Sequence, residues 1–293
     1  MYADFDLVIP ETLDEALEAL AVEGAVEGGN GGTQPLAGGT NMIVDLRARR
    51  VAPSRLVGLG RLEALRGIRV ADGRVRMGAR TTMSDILRHP DLAGHAPSLV
   101  EQARVFGGQM VRNAATVAGN ICSGSPAADV VPPLLALDAE VTLASTSGTR
   151  VVPLSEFFLG YKQDARAPGE LMTEIAWDIP PARSSNHFYK LALRKGDAIT
   201  VVGVAVALAA EDGKCAAARI ALGAVAPTVK RATAAEAMLS GQALTPGLID
   251  AAAHQAVDDG DPIDDIRASA EYRRHCVHVL TRRLVTQAWQ ALS

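Results

Sequence analysis

Hydrophobic residues recur at helical spacing in several stretches of the chain. The first follows residues 12–15, whose sequence T-L-D-E has the pattern of a capping box, and its apolar positions continue to Leu20. This pattern predicts a helix that ends before Gly24. The same criterion predicts helices over residues 42–50, 82–88, 98–106, 126–137, 227–239, 246–257 and 269–292. We expect the helix at 126–137 to start with Pro126 near its first position and to be kinked or interrupted at Pro132-Pro133.

Short apolar runs bounded by turn residues predict strands. Residues 66–70 and 74–78 flank Ala71-Asp72-Gly73, and residues 139–144 and 149–152 flank Ser147-Gly148, so each pair predicts a β-hairpin. A short strand is predicted at 34–37. After Pro180-Pro181, strands are predicted at 188–193, 199–209 and 215–225, ahead of the last three helices. This β-meander followed by helices predicts an α+β fold with a domain boundary near residue 180.

Composition and charge exclude several classes of protein. The 293 residues leave room for about two domains, and 48% apolar with 21% charged residues is typical of a globular protein. A net charge of −4 argues against nucleic acid as a partner. The longest apolar run, 201–210, is too short to span a bilayer, and no signal peptide is expected at the N-terminus. The three cysteines are far apart, which argues against a Cys₄ cluster and favours a cytoplasmic location.

Two segments rich in small residues are the candidate binding elements. The first is A-G-G-T-N at residues 37–41, and the second is T-V-A-G-N at 116–120, which continues to Asp129. Glycine permits positive φ and leaves its N–H uncovered, so such loops hold phosphate oxygens. Either segment alone is explained by a tight turn, but the two together could close on a pyrophosphate from two sides. Neither a G-x-G-x-x-G fingerprint nor a P-loop lysine is present, and the glycine-rich residues 28–32 predict only a flexible loop.

The residues around these segments give a resemblance to a known family. Residues 35–41 (P-L-A-G-G-T-N), 112–120 (R-N-A-A-T-V-A-G-N) and 125–129 (S-P-A-A-D) match its pattern, and 169–172 with Tyr189-Lys190 match it further on. The chain resembles the FAD-binding (medium) subunit of the molybdenum hydroxylases, of the carbon monoxide dehydrogenase and xanthine dehydrogenase type. The resemblance implies a two-part FAD-binding domain of the vanillyl-alcohol-oxidase/PCMH type at 1–180, with subdomains of about 1–58 and 59–180. A smaller domain of a three-stranded sheet plus helices is implied at 181–293.

The resemblance also implies a set of cofactor-binding residues, with neither a catalytic residue nor a metal ligand among them. The first segment would wrap the FAD pyrophosphate, and the second would close on it from the other side. Asp129 would bind a polar part of the cofactor, Phe106 would line the site, Met172 and Lys190 would lie near the flavin end, and Ile199 would face the isoalloxazine. The implied residues of the two segments are Leu36, Ala37, Gly38, Gly39, Thr40, Asn41, Met42 and Ile43, then Thr116, Val117, Ala118, Gly119 and Asn120.

Simpler interpretations of single residues stay open at this point. Core packing would explain Phe106 and Met172, a solvated strand edge would explain Lys190, and a helix dipole would explain Asp129. The chain also departs from the family pattern. Ala118 replaces a glycine found in many relatives, residues 196–199 lack a tyrosine that some relatives stack on the flavin, and no cysteine-rich insertion is present.

The function implied by the resemblance is electron transfer within a complex. Substrate would be oxidised at a molybdenum cofactor in a large partner, and electrons would cross two [2Fe-2S] clusters in a small partner, reach non-covalent FAD here, and leave to an external acceptor. The complex would be a dimer of heterotrimers. A self-sufficient FAD-dependent oxidoreductase and an assembly protein without cofactor are the alternatives. Neither segment contains a histidine, which disfavours covalent flavin attachment.

Overall fold

The computed structural model describes residues 4–21 and 31–292. The strands, in chain order, are β1 (Asp6–Val8), β2 (Thr33–Leu36), β3 (Arg55–Gly58), β4 (Ile68–Ala71), β5 (Arg74–Gly78), β6 (Glu140–Ser145), β7 (Gly148–Pro153), β8 (Phe158–Gly160), β9 (Gln163–Asp164), β10 (Leu171–Asp178), β11 (Ser184–Ala192), β12 (Thr200–Glu211), β13 (Lys214–Gly223) and β14 (Lys230–Arg231). The helices are α1 (Leu13–Leu20), α2 (Met42–Arg47), α3 (Met83–Arg88), α4 (Leu92–His95), α5 (Pro97–Val105), α6 (Gln109–Ala114), α7 (Val117–Ile121), α8 (Val131–Ala136), α9 (Leu154–Phe157), α10 (Thr233–Leu239), α11 (Pro246–Asp258) and α12 (Ala270–Gln290).

The N-terminal part is a small parallel sheet in the order β1-β3-β2. Helix α1 begins with the predicted capping box, in which Thr12 accepts from the Glu15 N–H and the Glu15 carboxylate accepts from the Thr12 N–H. The apolar face of α1 packs on this sheet, with Leu17 and Leu20 buried. Most of the glycine-rich stretch 28–32 lies outside the described residues. The first glycine segment begins immediately after the last residue of β2, so the sheet determines where this segment starts.

The second part is an antiparallel sheet in the order β4-β5-β10-β6-β7. Both hairpins predicted from sequence, β4–β5 and β6–β7, are confirmed, and the unpredicted strand β10 lies between them. Helices α3, α5, α7 and α8 contribute buried residues to the same core as this sheet, and Trp177 of β10 is completely buried there. The sheet thus supports the helices that carry the second glycine segment.

The C-terminal part is an antiparallel sheet in the order β11-β12-β13-β14. Strand β12 is buried on both faces, and its side chains alternate between two cores. Val204, Val206 and Leu208 pack with helices α10, α11 and α12, whereas Ala205 packs with the core that contains α5 and α8. Burial on both faces explains why residues 201–210 form a continuous apolar run rather than an alternating one.

The structure corrects two predicted helices. Residues 126–137 are helical only over Val131–Ala136, so Pro132 and Pro133 lie in the first turn, where a missing N–H costs no hydrogen bond and causes no kink. The helix predicted at 227–239 begins at Thr233 because Lys230 and Arg231 pair with β13. None of the helices within 4–21 and 31–292 is long and apolar enough to cross a bilayer.

Candidate functional site

The first glycine segment is the connection between β2 and α2. Gly39 has a φ of +70°, a left-handed conformation that favours glycine. Within the described chain, no hydrogen bond uses the backbone N–H groups of Gly38, Gly39, Thr40 or Asn41. Free N–H groups in a glycine turn ahead of a helix form an anion-binding concavity. This segment therefore fits the phosphate oxygens of a ligand.

The second segment has a different structure, because most of it is the short helix α7. The N–H groups of its last four residues, 117–120, are already used. Those of Val117 and Ala118 donate to Thr81 O at 2.9 Å and Ala79 O at 3.2 Å. Those of Gly119 and Asn120 donate to the Thr116 side chain at 3.1 Å and the Thr116 carbonyl at 3.0 Å. The amides of 117–120 are therefore not available to a ligand, to which the segment can still offer its surface and side chains.

Ala118, where many relatives have glycine, lies inside α7. It is not among the non-glycine residues of the described chain that have a positive φ. The departure from the family pattern therefore introduces no backbone strain.

The two glycine segments meet in space. A Cβ atom built on Gly38 would lie 1.8 Å from Ala114 O and 3.2 Å from Ala115 N. Only glycine allows the first segment to approach this backbone, which leads directly into Thr116. Parts of the chain separated by more than seventy residues in the sequence are thus brought into contact, as expected if both glycine segments hold the same ligand.

Asp129 and Lys190 form a buried ion pair beside the second segment. Lys190 Nζ lies 2.6 Å from Asp129 Oδ2, and the Thr200 hydroxyl donates to Asp129 Oδ1. The side chains of Asp129 and Lys190 are only 7% and 5% exposed. Burial raises the pKa of Asp129, and the Lys190 ammonium and the two hydrogen bonds offset part of that rise. Each carboxylate oxygen therefore already accepts one hydrogen bond from within the protein.

Asn120 connects the second segment to this ion pair. Its Oδ1 accepts from the N–H of Val130, the residue after Asp129, at 3.1 Å. Its carbonyl accepts from the Ser123 hydroxyl at 2.7 Å. Because Lys190 belongs to β11 and Thr200 to β12, the network joins the helix α7 region to the C-terminal sheet.

The other residues predicted to bind the cofactor differ in how accessible their side chains are to a ligand. Met172 is 2% exposed within the large core, so its side chain is not available to a ligand without movement. Phe106 is half-buried at the end of α5 and packs against that core. Ile199 is 66% exposed and immediately precedes Thr200. Ile43 is exposed on α2, whereas Val117 is fully buried.

Arg112 begins the R-N-A-A-T-V-A-G-N motif and has a structural role that its sequence position does not indicate. Its Nη1 donates to the carbonyls of Phe106 at 3.0 Å and Gly107 at 2.9 Å, and so fixes the turn between α5 and α6. Gly107 has a φ of +44° in that turn. In the sequence, the adjacent Gly107-Gly108 pair predicts a turn at this point. A donor a few residues away, such as Arg112, can then bind the carbonyl groups of that turn.

Comparison with known proteins identifies the family. Residues 3–181 match the family described as the FAD binding domain in molybdopterin dehydrogenase, and residues 187–288 match the CO dehydrogenase flavoprotein C-terminal domain. The chain belongs to this family. Its members' cofactor, FAD, fits the free N–H groups and the glycine junction described above. The resemblance proposed from the sequence and the α+β fold are both confirmed.

Relatives and solved structures match the chain over nearly its whole length. The nicotinate dehydrogenase FAD-subunit of Eubacterium barkeri is 32% identical over 96% of this chain and 95% of its own. The carbon monoxide dehydrogenase medium chain of Afipia carboxidovorans is 32% identical over 97% and 96%. A solved carbon monoxide dehydrogenase from Hydrogenophaga pseudoflava superimposes with a TM-score of 0.94 at 31% identity, covering 100% of both chains. The chain is therefore a flavoprotein of the oxidoreductase class, similar to medium chains of multi-subunit dehydrogenases.

Proposed function

We propose that this chain is the FAD-binding subunit of a multi-subunit molybdenum-dependent hydroxylase or dehydrogenase. In this role it holds FAD non-covalently and passes electrons from the [2Fe-2S] clusters of a small partner to an external acceptor. The observation that carries the proposal is the close approach of Gly38 to Ala114, just before the second glycine segment, together with N–H groups on the first segment that donate to none of the residues the structure describes. FAD suits the role because, when bound, it can accept electrons singly and deliver them in pairs.

In this proposal, different parts of the chain bind or border different parts of FAD. The backbone of 38–41 binds the pyrophosphate through its N–H groups, since a glycine turn before a helix favours negative charge. The surface of 116–120 closes the opposite side. Asp129 is a positioning residue, because it holds Lys190 and Thr200 beside the second segment. We propose that Lys190 and the exposed Ile199 border the flavin end, whereas Phe106 and Met172 support it from the core.

The partners are a large molybdenum-cofactor subunit and a small [2Fe-2S] subunit, in a dimer of heterotrimers. The relatives support this proposal by their names, which include medium chains of carbon monoxide and glyceraldehyde dehydrogenases and a subunit of a dehydrogenase complex. All three cysteines are free and widely separated, so this chain offers no Cys₄ set for a cluster of its own. Free thiols also fit the reducing cytoplasm that we propose as its location.

Affinity purification of the tagged chain from its native cells tests the assembly. We expect two further chains to co-purify, with molybdenum and iron in the preparation and FAD at one per tagged chain. The recombinant chain alone should contain FAD without either metal. Recovery of the native protein as a single metal-free flavoprotein would contradict the proposal.

Anaerobic stopped-flow absorbance then separates the proposal from the self-sufficient oxidoreductase. The probes are the compounds named for the relatives: nicotinate, xanthine, carbon monoxide and glyceraldehyde. A compound that reduces the flavin of the complex, and so bleaches it, should not reduce the flavin of the isolated chain. Equal bleaching rates in both preparations would favour the self-sufficient enzyme. Re-oxidation by NAD⁺, a quinone or oxygen in the same cell identifies the acceptor.

A further inference from the structure

A cluster of one carboxylate and two imidazoles joins the last two long helices. Asp250 and His254 lie four residues apart on α11, and His278 lies on α12. Residues at this spacing share one face of a helix. Each of the three offers a ligand atom, and these atoms all lie within 4.8 Å of one another. Helices α11 and α12 pack against the opposite side of the C-terminal sheet from α8, so the cluster is separate from the FAD site.

The contacts inside the cluster converge on the carboxylate. His278 Nε2 lies 3.0 Å from Asp250 Oδ1, and His254 Nε2 lies 3.8 Å from Asp250 Oδ2. The two imidazole rings are stacked, with centroids 3.8 Å apart and an angle of 21° between their planes. Both Nε2 atoms therefore approach the same carboxylate from neighbouring rings, one from each helix.

We propose that Asp250, His254 and His278 bind a divalent transition-metal ion of the zinc type, which bridges α11 and α12. Two imidazole nitrogens and one carboxylate oxygen form a donor set that suits Zn²⁺ and Co²⁺, whereas Mg²⁺ and Ca²⁺ prefer oxygen ligands. Ligand atoms in a tetrahedral zinc site are separated by about 3.3 Å, as follows from Zn–N distances of about 2.0 Å. The stacked rings hold the two Nε2 lone pairs in nearly parallel planes, so His254, which is 66% exposed, must leave the stack by a side-chain rotation before both nitrogens can bind one ion.

The charges around the cluster determine what the ion must displace. Besides the two histidines, Arg282 of α12 faces Asp250, with Nη1 3.3 Å from Oδ1. Its side chain is 52% exposed and can turn into solvent when the ion binds. The hydrogen bond from His278 lowers the pKa of Asp250, so the carboxylate is ionised at neutral pH. Binding uses the Nε2 lone pair of each imidazole, so the contact of His278 Nε2 with Asp250 must be exchanged for a contact with the ion.

Titration of untagged, chelator-treated protein tests this site. Co²⁺ is followed by its visible absorption and Zn²⁺ by calorimetry, with Mg²⁺ as the ion that should give no signal. We expect one Co²⁺ or Zn²⁺ per chain. His254→Ala and His278→Ala should each weaken binding at least tenfold. The matched control is His275→Ala, an exposed histidine of α12 outside the cluster, which should bind like the parent.

The FAD content of each variant is measured in the same samples, because it reports folding independently of the metal. Since His254 is largely exposed, its variant should retain the parental FAD content even if the half-buried His278 variant does not. Metal binding that is unchanged in His254→Ala and His278→Ala, or that is lost equally in His275→Ala, would overturn the proposal. So would the absence of stoichiometric binding by the parent protein.

Discussion

Gly39 tests the first glycine segment at the scale of a single residue. A Cβ at this position would make only ordinary contacts, 3.4 Å from Ile43 Cγ1 and 3.5 Å from Leu36 Cδ1, so the protein itself leaves room for a side chain. The left-handed φ of +70° makes Gly39→Val cost about 1–2 kcal/mol of folding free energy. We expect the variant to fold but to purify without the yellow colour of FAD, because valine occupies the space beside the free N–H groups.

Gly60→Val is the matched control, since a Cβ at Gly60 has no neighbour within 4 Å. The measurement is the ratio of flavin absorbance to protein absorbance after purification, with circular dichroism as the check on folding. Stoichiometric FAD in Gly39→Val would remove this turn from the binding site.

The Asp129–Lys190 pair is expected to matter first for stability. Asp129→Ala leaves the Lys190 ammonium buried without a counter-ion, and removing one partner of a buried pair costs about 3–5 kcal/mol. Replacing both partners, as Asp129→Ala with Lys190→Met, should restore much of that loss because no buried charge remains. Urea unfolding gives the free energy of unfolding of the parent, the Asp129→Ala variant and the double variant.

FAD titration of the apo-proteins separates a binding role from a structural one. If Asp129 positions the cofactor, the double variant should be stable and yet bind FAD more weakly by roughly 1–3 kcal/mol, the range for a hydrogen bond involving a charged group. Parental FAD affinity in a stable double variant would show that the pair serves folding alone.

At the scale of elements, Asp265 connects the start of α12 to the C-terminal sheet. Its carboxylate binds Arg267 at 2.6 Å and Arg273 at 2.7 Å, and Arg273 is 1% exposed. Arg273 also donates to Ala224 O at 2.6 Å, and Arg267 donates to Thr200 O at 2.9 Å. Since Thr200 binds Asp129, this network extends from α12 to the ion pair beside the second glycine segment.

Asp265→Asn should destabilise the protein at neutral pH by about 3–5 kcal/mol, because it leaves the buried Arg273 without its counter-ion. The hydrogen bonds from Arg267, followed by that from Arg273, hold the pKa of Asp265 well below its usual value. A depressed folded-state pKa gives stability that is present above the unfolded-state pKa of about 3.9 and is lost as pH falls towards the folded-state pKa. The difference in unfolding free energy between parent and variant should therefore shrink below about pH 4. A constant difference from pH 7 to pH 3 would contradict this assignment.

At the scale of the whole molecule, we propose that domains 1–180 and 181–293, with subdomains 1–58 and 59–180, unfold as one cooperative unit. Helices α5 and α8 of the first domain pack on the sheet of the second, whose Phe188 is buried in the shared core. Ser98 N donates to the buried Asn186 side chain at 2.9 Å, and Phe188 N donates to Glu101 at 2.7 Å. Separation of the domains would expose these groups together.

Differential scanning calorimetry of the FAD-loaded chain should therefore show one transition. Asn186→Ala, which leaves the buried Ser98 N–H without its acceptor, should lower the unfolding free energy by about 1–3 kcal/mol and keep the single transition. Two resolved transitions in the parent protein would show that the domains are thermodynamically independent.

The sequence by itself determined the features that depend on local chemistry. The capping box of α1 and the hairpin turns at Asp72-Gly73 and Asp212-Gly213 satisfy hydrogen bonds or φ values within a few residues. The glycines of 37–41 could be identified as a turn for the same reason, because glycine permits a positive φ wherever the segment lies in the fold. The small residues of 37–41 and 116–120 also predicted that the two segments could close on one pyrophosphate, and the resemblance supplied the identity of the cofactor.

Tertiary structure decided everything that joins distant segments. No local pattern predicts that β10 lies between β5 and β6, or that Asp129 pairs with Lys190 across 61 residues. The occupation of the amides of 117–120 could not be predicted, since two of their acceptors, Ala79 O and Thr81 O, lie on another segment. Local patterns specify only local hydrogen bonds, whereas these partners are chosen by which apolar faces the whole chain can bury together.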